Sequence, residues 1–444
     1  MNLSATRFRI EPARAGDSTI SKSLAIGVTM RQTEKIAGYE TLLAVFVRMP
    51  LSIFIYFYWN PTMSRRSVSF FFTLFATCFV SVAHAADSQV PKSKQAVTDL
   101  NMVDEDFEFQ GEYAGLVLTG EQTWQPIGLQ VVALGDGKFH AVENAGGLPG
   151  AGGRGRYRFK MEGQRDGDSV KFVAEPLQVT VVGGQAKFYL NSIEKEIASL
   201  NKIQRVSPTS NAPAPAGAIV LFDGTNTDHF KNAKKTEDGL LMMGTQTKRA
   251  FNNFKLHLEF RLPYMPHARG QGRANSGVYL QSRYEVQILD SFGLEGKHNE
   301  CGGLYRERQP DLNMCFPPLS WQTYDIEFHA PKFDKDGAKT DNVRLTVRHN
   351  GVLIHDNFEL PKKTGGGNQE GPQPLPTKLQ DHNNPVVFRN IWLVELDDLG
   401  RSMPSESATE MMACDCCETR HPKFCPLRWL GSFLRNLNGN RPCR

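Results

Sequence analysis

The sequence predicts an all-β protein: a small N-terminal β-meander domain followed by a jelly-roll β-sandwich of two packed antiparallel sheets. Three observations carry that reading. Long segments alternate apolar and polar side chains with a period of two, glycine-centred turns separate them, and almost nothing repeats at the spacing of a long amphipathic helix. The clearest strand is FKLHLEFRL (254–262), with Phe254, Leu256, Leu258, Phe260 and Leu262 on one face and Lys255, His257, Glu259 and Arg261 on the other. TYDIEFHA (323–330) and NVRLTVRHNGVLIHD (342–356) continue the pattern, the latter turning at Asn350-Gly351, a strong hairpin signal.

From the N-terminus, residues 1–62 read as an over-long start or an extension, and residues 63–85 as a secretory signal peptide. Arg65 and Arg66 precede an apolar run over 68–82, and Ala83-His84-Ala85 supplies small residues for cleavage. Export to the periplasm, cell surface or medium is the expectation. Residues 42–59 are apolar, but Arg48 and Pro50 sit at their centre, where a charge costs roughly 2.5–3.5 kcal/mol in a bilayer. No stable membrane span is therefore expected in the mature chain.

Charge changes meaning once the leader is removed. The whole chain has 51 Lys and Arg against 47 Asp and Glu, a net charge of +4. Residues 1–85 hold nine of the basic and four of the acidic residues, so the remainder has a net charge of −1. No nucleic-acid partner is expected. The basic excess lies instead in residues 419–444, with six Lys and Arg and no acid. Seven cysteines follow the leader. Cys301 and Cys315 flank one loop and suit either a disulfide or two free thiols. Cys414, Cys416, Cys417 and Cys425, with His421 among them, match no standard zinc spacing.

Residues 87–205 form the small β-rich domain. GLQVVALGDGKFHAVE (128–143), RYRFKMEGQRDGDSVKFVAE (156–175) and LQVTVVGGQAKFYL (177–190) are three hairpins about glycine turns. The loop GGLPGAGGRGR (146–156) lacks the Gly-Lys-Ser/Thr and following helix of a phosphate loop and reads as surface. Residues 191–201 are expected to form one short helix. Residues 206–217, rich in Pro, Ala and Ser, read as an extended semi-rigid linker. The sandwich then occupies 218–397, and the basic, Cys-containing tail 398–444 is expected to lack regular structure.

The stretch RANSGVYLQSRYEVQILD (273–290) displays chemistry on one face. Val278 and Leu280 oppose Tyr279 and Gln281, and Val286 and Ile288 oppose Glu285 and Gln287. A sheet face of Tyr, Gln, Glu and Gln is costly to bury unsatisfied and suits a polyhydroxylated ligand. A carbohydrate is the expected partner.

IVLFDGTNTDHF (219–230), DGLLMMG (238–244), ANSGVYLQSRYEVQILDS (274–291), GGLY (302–305), SWQTYDIEF (320–328) and LQDHNNPVVFRNIWLVEL (379–396) together resemble the 3-keto-disaccharide hydrolase domain family. The motifs occur in the expected order across nearly all of 218–397. The resemblance implies a concanavalin A-like jelly roll and cleavage of glycosides whose C3 hydroxyl is oxidised to a ketone. One departure is Asn383, where the family commonly has Gly; Asn tolerates the left-handed backbone such a turn requires.

A C3 ketone acidifies the C2 proton, so such a site needs a base, a stabiliser for the enolate oxygen and an acid for the leaving group. The catalytic candidates are Glu285 as base, His382 as acid or metal ligand, and Arg389 as oxyanion stabiliser. Asn275, Tyr279, Gln281, Gln287, Tyr305 and Asn384 are candidates to bond hydroxyls, and Asp290 to cap the strand or bind a cation. Each has a structural alternative: Glu285 as a cross-strand partner of Arg, His382 as a loop cap, Arg389 as a core-edge ion pair, Tyr279 and Trp321 as packing. No cofactor is implied with certainty. A divalent ion would serve an enolate, although no ligand set has recognisable spacing; unchanged rates after chelation would remove it. Two rival functions remain, a non-catalytic carbohydrate-binding module and a conventional glycosidase using a carboxylate pair such as Glu259 and Glu285.

Overall fold

The computed structural model describes residues 90–403 except 121, 122, 154, 156, 157 and 191–194. The described residues fall within one compact unit. The segment 42–59, the leader 63–85 and the cysteine-rich tail after 403 lie outside the described residues. Among the described residues no helix is long and apolar enough to cross a membrane.

The N-terminal meander closes on itself. Eight antiparallel strands follow one another around a barrel: Gly111–Leu118, Trp124–Gly135, Lys138–Ala145, Arg158–Asp166, Ser169–Ala174, Leu177–Val182, Gln185–Leu190 and Lys195–Ile203, the last pairing with the first. Closure removes both sheet edges. The interior is filled by Tyr113, Leu129, Val131, Phe139, Phe172, Val179, Phe188 and Leu200, each alternating with an outward neighbour. Asp136, with φ of 55°, takes the left-handed turn between two glycines that the GDG signal announced. The short helix expected over 191–201 is not formed over 195–201; residues 191–194 lie outside the described residues. Lys195–Ile203 is a strand hydrogen-bonded on both sides, with Ala198 and Leu200 buried inside the barrel. Two ladders and a buried apolar face outweigh the helix preference of a Glu- and Lys-containing segment.

The second half is the sandwich. One sheet has seven strands, with the order Ile219–Phe222, Val387–Leu396, Asn253–Arg261, Trp321–His329, Val343–His349, Val352–Leu360, and Leu241–Met242 pairing off the path with Val387–Leu396. The other has five strands in the order Phe230–Lys231, Thr245–Ala250, Pro376–Leu379, Ser276–Leu280, Tyr284–Ile288. Phe254, Leu256, Leu258 and Phe260 from the first meet Val278, Leu280, Val286 and Ile288 from the second in one core. Burying each such side chain contributes about 1.5–3 kcal/mol. Asn350 and Gly351, with φ of 49° and 78°, make the expected hairpin turn. Cys301 and Cys315 are buried free thiols, the Cys301 sulfur lying 3.2 Å from the Tyr324 hydroxyl.

Residues 206–217, expected as a spacer, lie against the outer face of the seven-stranded sheet. The Thr209 hydroxyl donates to Asp325 at 2.8 Å, the Asn211 amide donates to Glu259, and the Ala212 carbonyl accepts from Trp392 at 3.2 Å. Proline fixes the backbone of this segment, and the sheet's buried polar groups hold it.

Candidate functional site

The outer face of the five-stranded sheet is the candidate site. Strand register places Lys231, Gln246, Lys378, Tyr279 and Glu285 in one row across all five strands. A second row sets Gly277 opposite Gln287, and the Gln380 amide donates to the Gly277 carbonyl at 2.9 Å. The alternation that buries Val278, Tyr284 and Val286 in the core turns these polar residues outward.

Gly277 is the floor of the site. A Cβ there would stand 2.4 Å from Glu285 Oε1, so the absent side chain is what lets the carboxylate lie across the strand. Glu285 is only 1% exposed. Burial pushes its pKa up to about 7, against the downward pull of the Tyr279 hydroxyl and the Lys378 ammonium. Three acceptors around this floor have no hydrogen-bond partner: Glu285 Oε2, Gln380 Oε1 and Asn275 Oδ1. Orphaned buried acceptors cost about 1–3 kcal/mol each, and a set of three around a bare glycine is suited to a ligand that brings O–H donors.

The surrounding residues hold this arrangement. The Gln380 side-chain amide donates to the Tyr279 hydroxyl at 3.3 Å. Burial and the nearby Glu285 carboxylate raise the Tyr279 pKa far above its ordinary value, so it remains a donor. Asn384 Oδ1 accepts from the Asn275 amide at 2.8 Å, and Gln271 links Asn275 to Gln287 through bonds of 3.3 and 3.1 Å. The Tyr305 amide donates to the Glu285 carbonyl at 3.2 Å. Over this edge runs Thr364–Gly367. The Thr364 hydroxyl accepts from the Glu285 amide at 2.8 Å, and a Cβ on Gly366 would lie 3.1 Å from the Tyr279 hydroxyl.

The structure thus brings together Glu285, Tyr279, Asn275, Gln287, Tyr305 and Asn384. His382 is exposed on the loop between Gln380 and Asn384, at the rim. Its neighbour Asn383 takes φ of 60°, with its amide on Asp381 at 2.8 Å, so the turn with Asn in place of Gly is made.

Three candidates are placed elsewhere. Gln281 follows the end of its strand with φ of 48°; its amide nitrogen donates to the Phe251 carbonyl at 3.0 Å and its oxygen accepts from Arg283 at 3.1 Å. Asp290 forms a buried ion pair with Arg273 at 2.6 Å and caps the Phe292 amide, which leaves it a structural role. Arg389 belongs to the seven-stranded sheet, paired with Glu259 at 2.8 Å and stacked over Trp321 at 4.0 Å. The core separates it from Glu285, so it stabilises no charge formed there. Glu259 lies on the same far face, held by Arg389 and Asn390 and lowered to about 2 by His257, Asn390 and Arg389 against the upward effect of burial. Glu259 and Glu285 are therefore no glycosidase carboxylate pair.

Four residues of the site escaped the reading of the sequence. Gly277 had a signal, since glycine inside an alternating strand marks close approach. Gln380 stood in the LQDH motif without a role. Lys378 and Thr364 flank a long irregular loop and had none. Among the described residues, no group of three or more His, Cys, Asp or Glu side chains gathers to hold a metal.

Residues 217–394 match the model of the 3-keto-alpha-glucoside-1,2-lyase-like domain. Similar solved structures include a candidate glycosyl hydrolase of Parabacteroides distasonis ATCC 8503, 32% identical over 41% of this chain and 85% of that one, with a TM-score of 0.37. A second from the same organism is 19% identical over 41% of this chain and 95% of that one, with a TM-score of 0.29. No curated protein matches the chain.

Proposed function

We propose that this chain, which belongs through residues 217–394 to the 3-keto-alpha-glucoside-1,2-lyase-like domain family, cleaves 3-keto-glycosides by elimination and hydration with Glu285 as the base. The observation that carries the reading is Glu285 itself: a buried carboxyl held near pKa 7, one oxygen unpartnered, over a bare glycine and among further unpartnered acceptors. A base poised near neutrality is matched to removing a proton acidified by a ketone.

The chemistry follows from the groups present. Glu285 takes the C2 proton, and the electron pair moves to the C3 oxygen as an enolate. The Tyr279 hydroxyl, kept neutral by burial, donates to that oxygen. The enolate re-forms its ketone as the C1–O bond breaks, leaving a C1–C2 double bond, and the departing oxygen takes a proton from the rim, where His382 stands. Water then adds at C1 and the Glu285 carboxylic acid returns a proton to C2. Asn275, Gln380, Gln287 and Asn384 orient the remaining hydroxyls.

Export through residues 63–85 is part of the same proposal, and sequencing the N-terminus of the mature protein tests it. The activity is tested with matched native and 3-oxidised disaccharides. Cleavage of the oxidised sugar alone supports this reading; cleavage of the native sugar, or binding of both without cleavage, overturns it.

A further inference from the structure

The row of residues that ends at Glu285 begins with cations. Lys231 and Lys378 occupy it with Gln246 between them, and Lys248 points the same way two residues along its strand. All three lysines are exposed. Among the described residues none has a carboxylate within ion-pairing distance, and the Lys378 ammonium lies 5.6 Å from the Tyr279 ring centroid. Other exposed lysines among the described residues are divided between paired ones, such as Lys92 with Asp136, Lys160 with Glu295 and Lys255 with Glu327, and unpaired ones such as Lys138 and Lys332. What sets these three apart is that they share one sheet face with Glu285.

Neighbouring strands stand about 4.8 Å apart, so Lys378 is about 10 Å and Lys231 about 19 Å along the row from Glu285. A disaccharide spans the first interval and a longer oligosaccharide the second. A sugar ring held over Gly277 would therefore direct its C1 substituent, along one of the two directions of the row, across a strip of lysines that have no ion-pair partner among the described residues.

Resting on the reading of Glu285 as the base, we infer that the lysine strip is a leaving-group subsite that selects saccharides bearing an anionic group, a uronate carboxylate or a sulfate ester. The strip supplies long-range attraction as well as contact, because three like charges with no carboxylate at ion-pairing distance sum their potentials over the sheet face, Glu285 offsetting them only at the Lys378 end. Lysine serves here as a mobile point charge, tolerant of where along the saccharide the anion falls.

The test measures binding, so that it does not depend on turnover. The full chain as Glu285→Gln is titrated with glucosyl-glucose, glucosyl-glucuronate and a sulfated glucosyl-glucose. Exposed ion pairs of this kind give about 1.4- to 5-fold tighter binding of the acidic sugars per pair formed. That preference is expected to vanish in a Lys231→Gln, Lys248→Gln, Lys378→Gln variant and to shrink as salt rises. Preference for one anion over the other identifies the group selected. Equal binding of neutral and acidic sugars, or a preference that survives the three substitutions, overturns the inference. Cleavage of the 3-oxidised forms by the unsubstituted chain is scored separately: a charge preference without any cleavage sinks the role of Glu285 and leaves the subsite standing, and cleavage without charge preference does the reverse.

Discussion

Glu285 lies across Gly277 on the adjacent strand, its Oε1 2.4 Å from where a Cβ would be. That vacancy is what allows a carboxylate to be almost wholly buried beside a tyrosine without an arginine to neutralise it.

Gly277→Ala is expected to abolish cleavage while leaving the fold intact. The added methyl forces the carboxylate off its position, and a displaced general base forfeits about 10²–10⁴-fold in rate. Steady-state kcat/KM on a 3-keto-disaccharide, beside a circular-dichroism spectrum and melting curve, checks both halves.

The rate should climb with pH through a single ionisation near 7, because the base is the deprotonated form and burial holds the Glu285 pKa at about 7. Stability moves the other way. The folded pKa lies above the unfolded one, so the folded chain binds more protons between about 4.5 and 7 and loses stability as pH rises through that window. The loss is on the order of 3 kcal/mol. In Glu285→Gln both the rate profile and this contribution to the decline should disappear, as pH–rate curves and denaturant titrations at pH 5 and 8 would reveal.

Tyr279→Phe removes the donor assigned to the enolate oxygen and keeps the ring. A fall of about 10²-fold in kcat, with little change in KM, is the expected outcome. An unchanged kcat would give that task to the Gln380 amide instead.

On the opposite face, Arg389→Ala leaves the buried Glu259 with His257 and Asn390 but without its guanidinium partner. Losing one charged partner of a buried carboxylate that keeps its others costs about 1.5–3 kcal/mol, so the melting temperature should fall. At temperatures where the variant remains folded, its pH–rate profile should match that of the unsubstituted chain.

Much of this architecture is legible in the residues themselves, and the failures have one physical origin. Alternation assigns each side chain to a face of its own strand, which is why Phe254–Leu262 and the Tyr279/Glu285 face read correctly. It does not say which sheet a strand joins. His382 and Arg389 are seven residues apart in a single motif, yet the chain leaves the five-stranded sheet after Leu379 and enters the seven-stranded one at Val387. Arg389 is thereby carried to the far side of the core. Gln281 failed for a local reason: the strand stops at Leu280 and two left-handed residues, Gln281 and Ser282, turn the chain. The barrel's last strand was hidden because its partners, Gly111–Leu118 and Gln185–Leu190, include one some eighty residues upstream.

The most direct test of the account follows the C2 hydrogen. A 3-keto-disaccharide deuterated at C2 is cleaved in ordinary water and the product read by NMR, with Glu285→Gln as the control for spontaneous exchange. Elimination at Glu285 predicts that the enzyme slows with the deuterated substrate, that solvent hydrogen enters C2 to the extent that the Glu285 carboxyl exchanges with water before it reprotonates the ring, and that the variant does neither. Rapid cleavage that keeps the label at C2 and shows no isotope effect would contradict it.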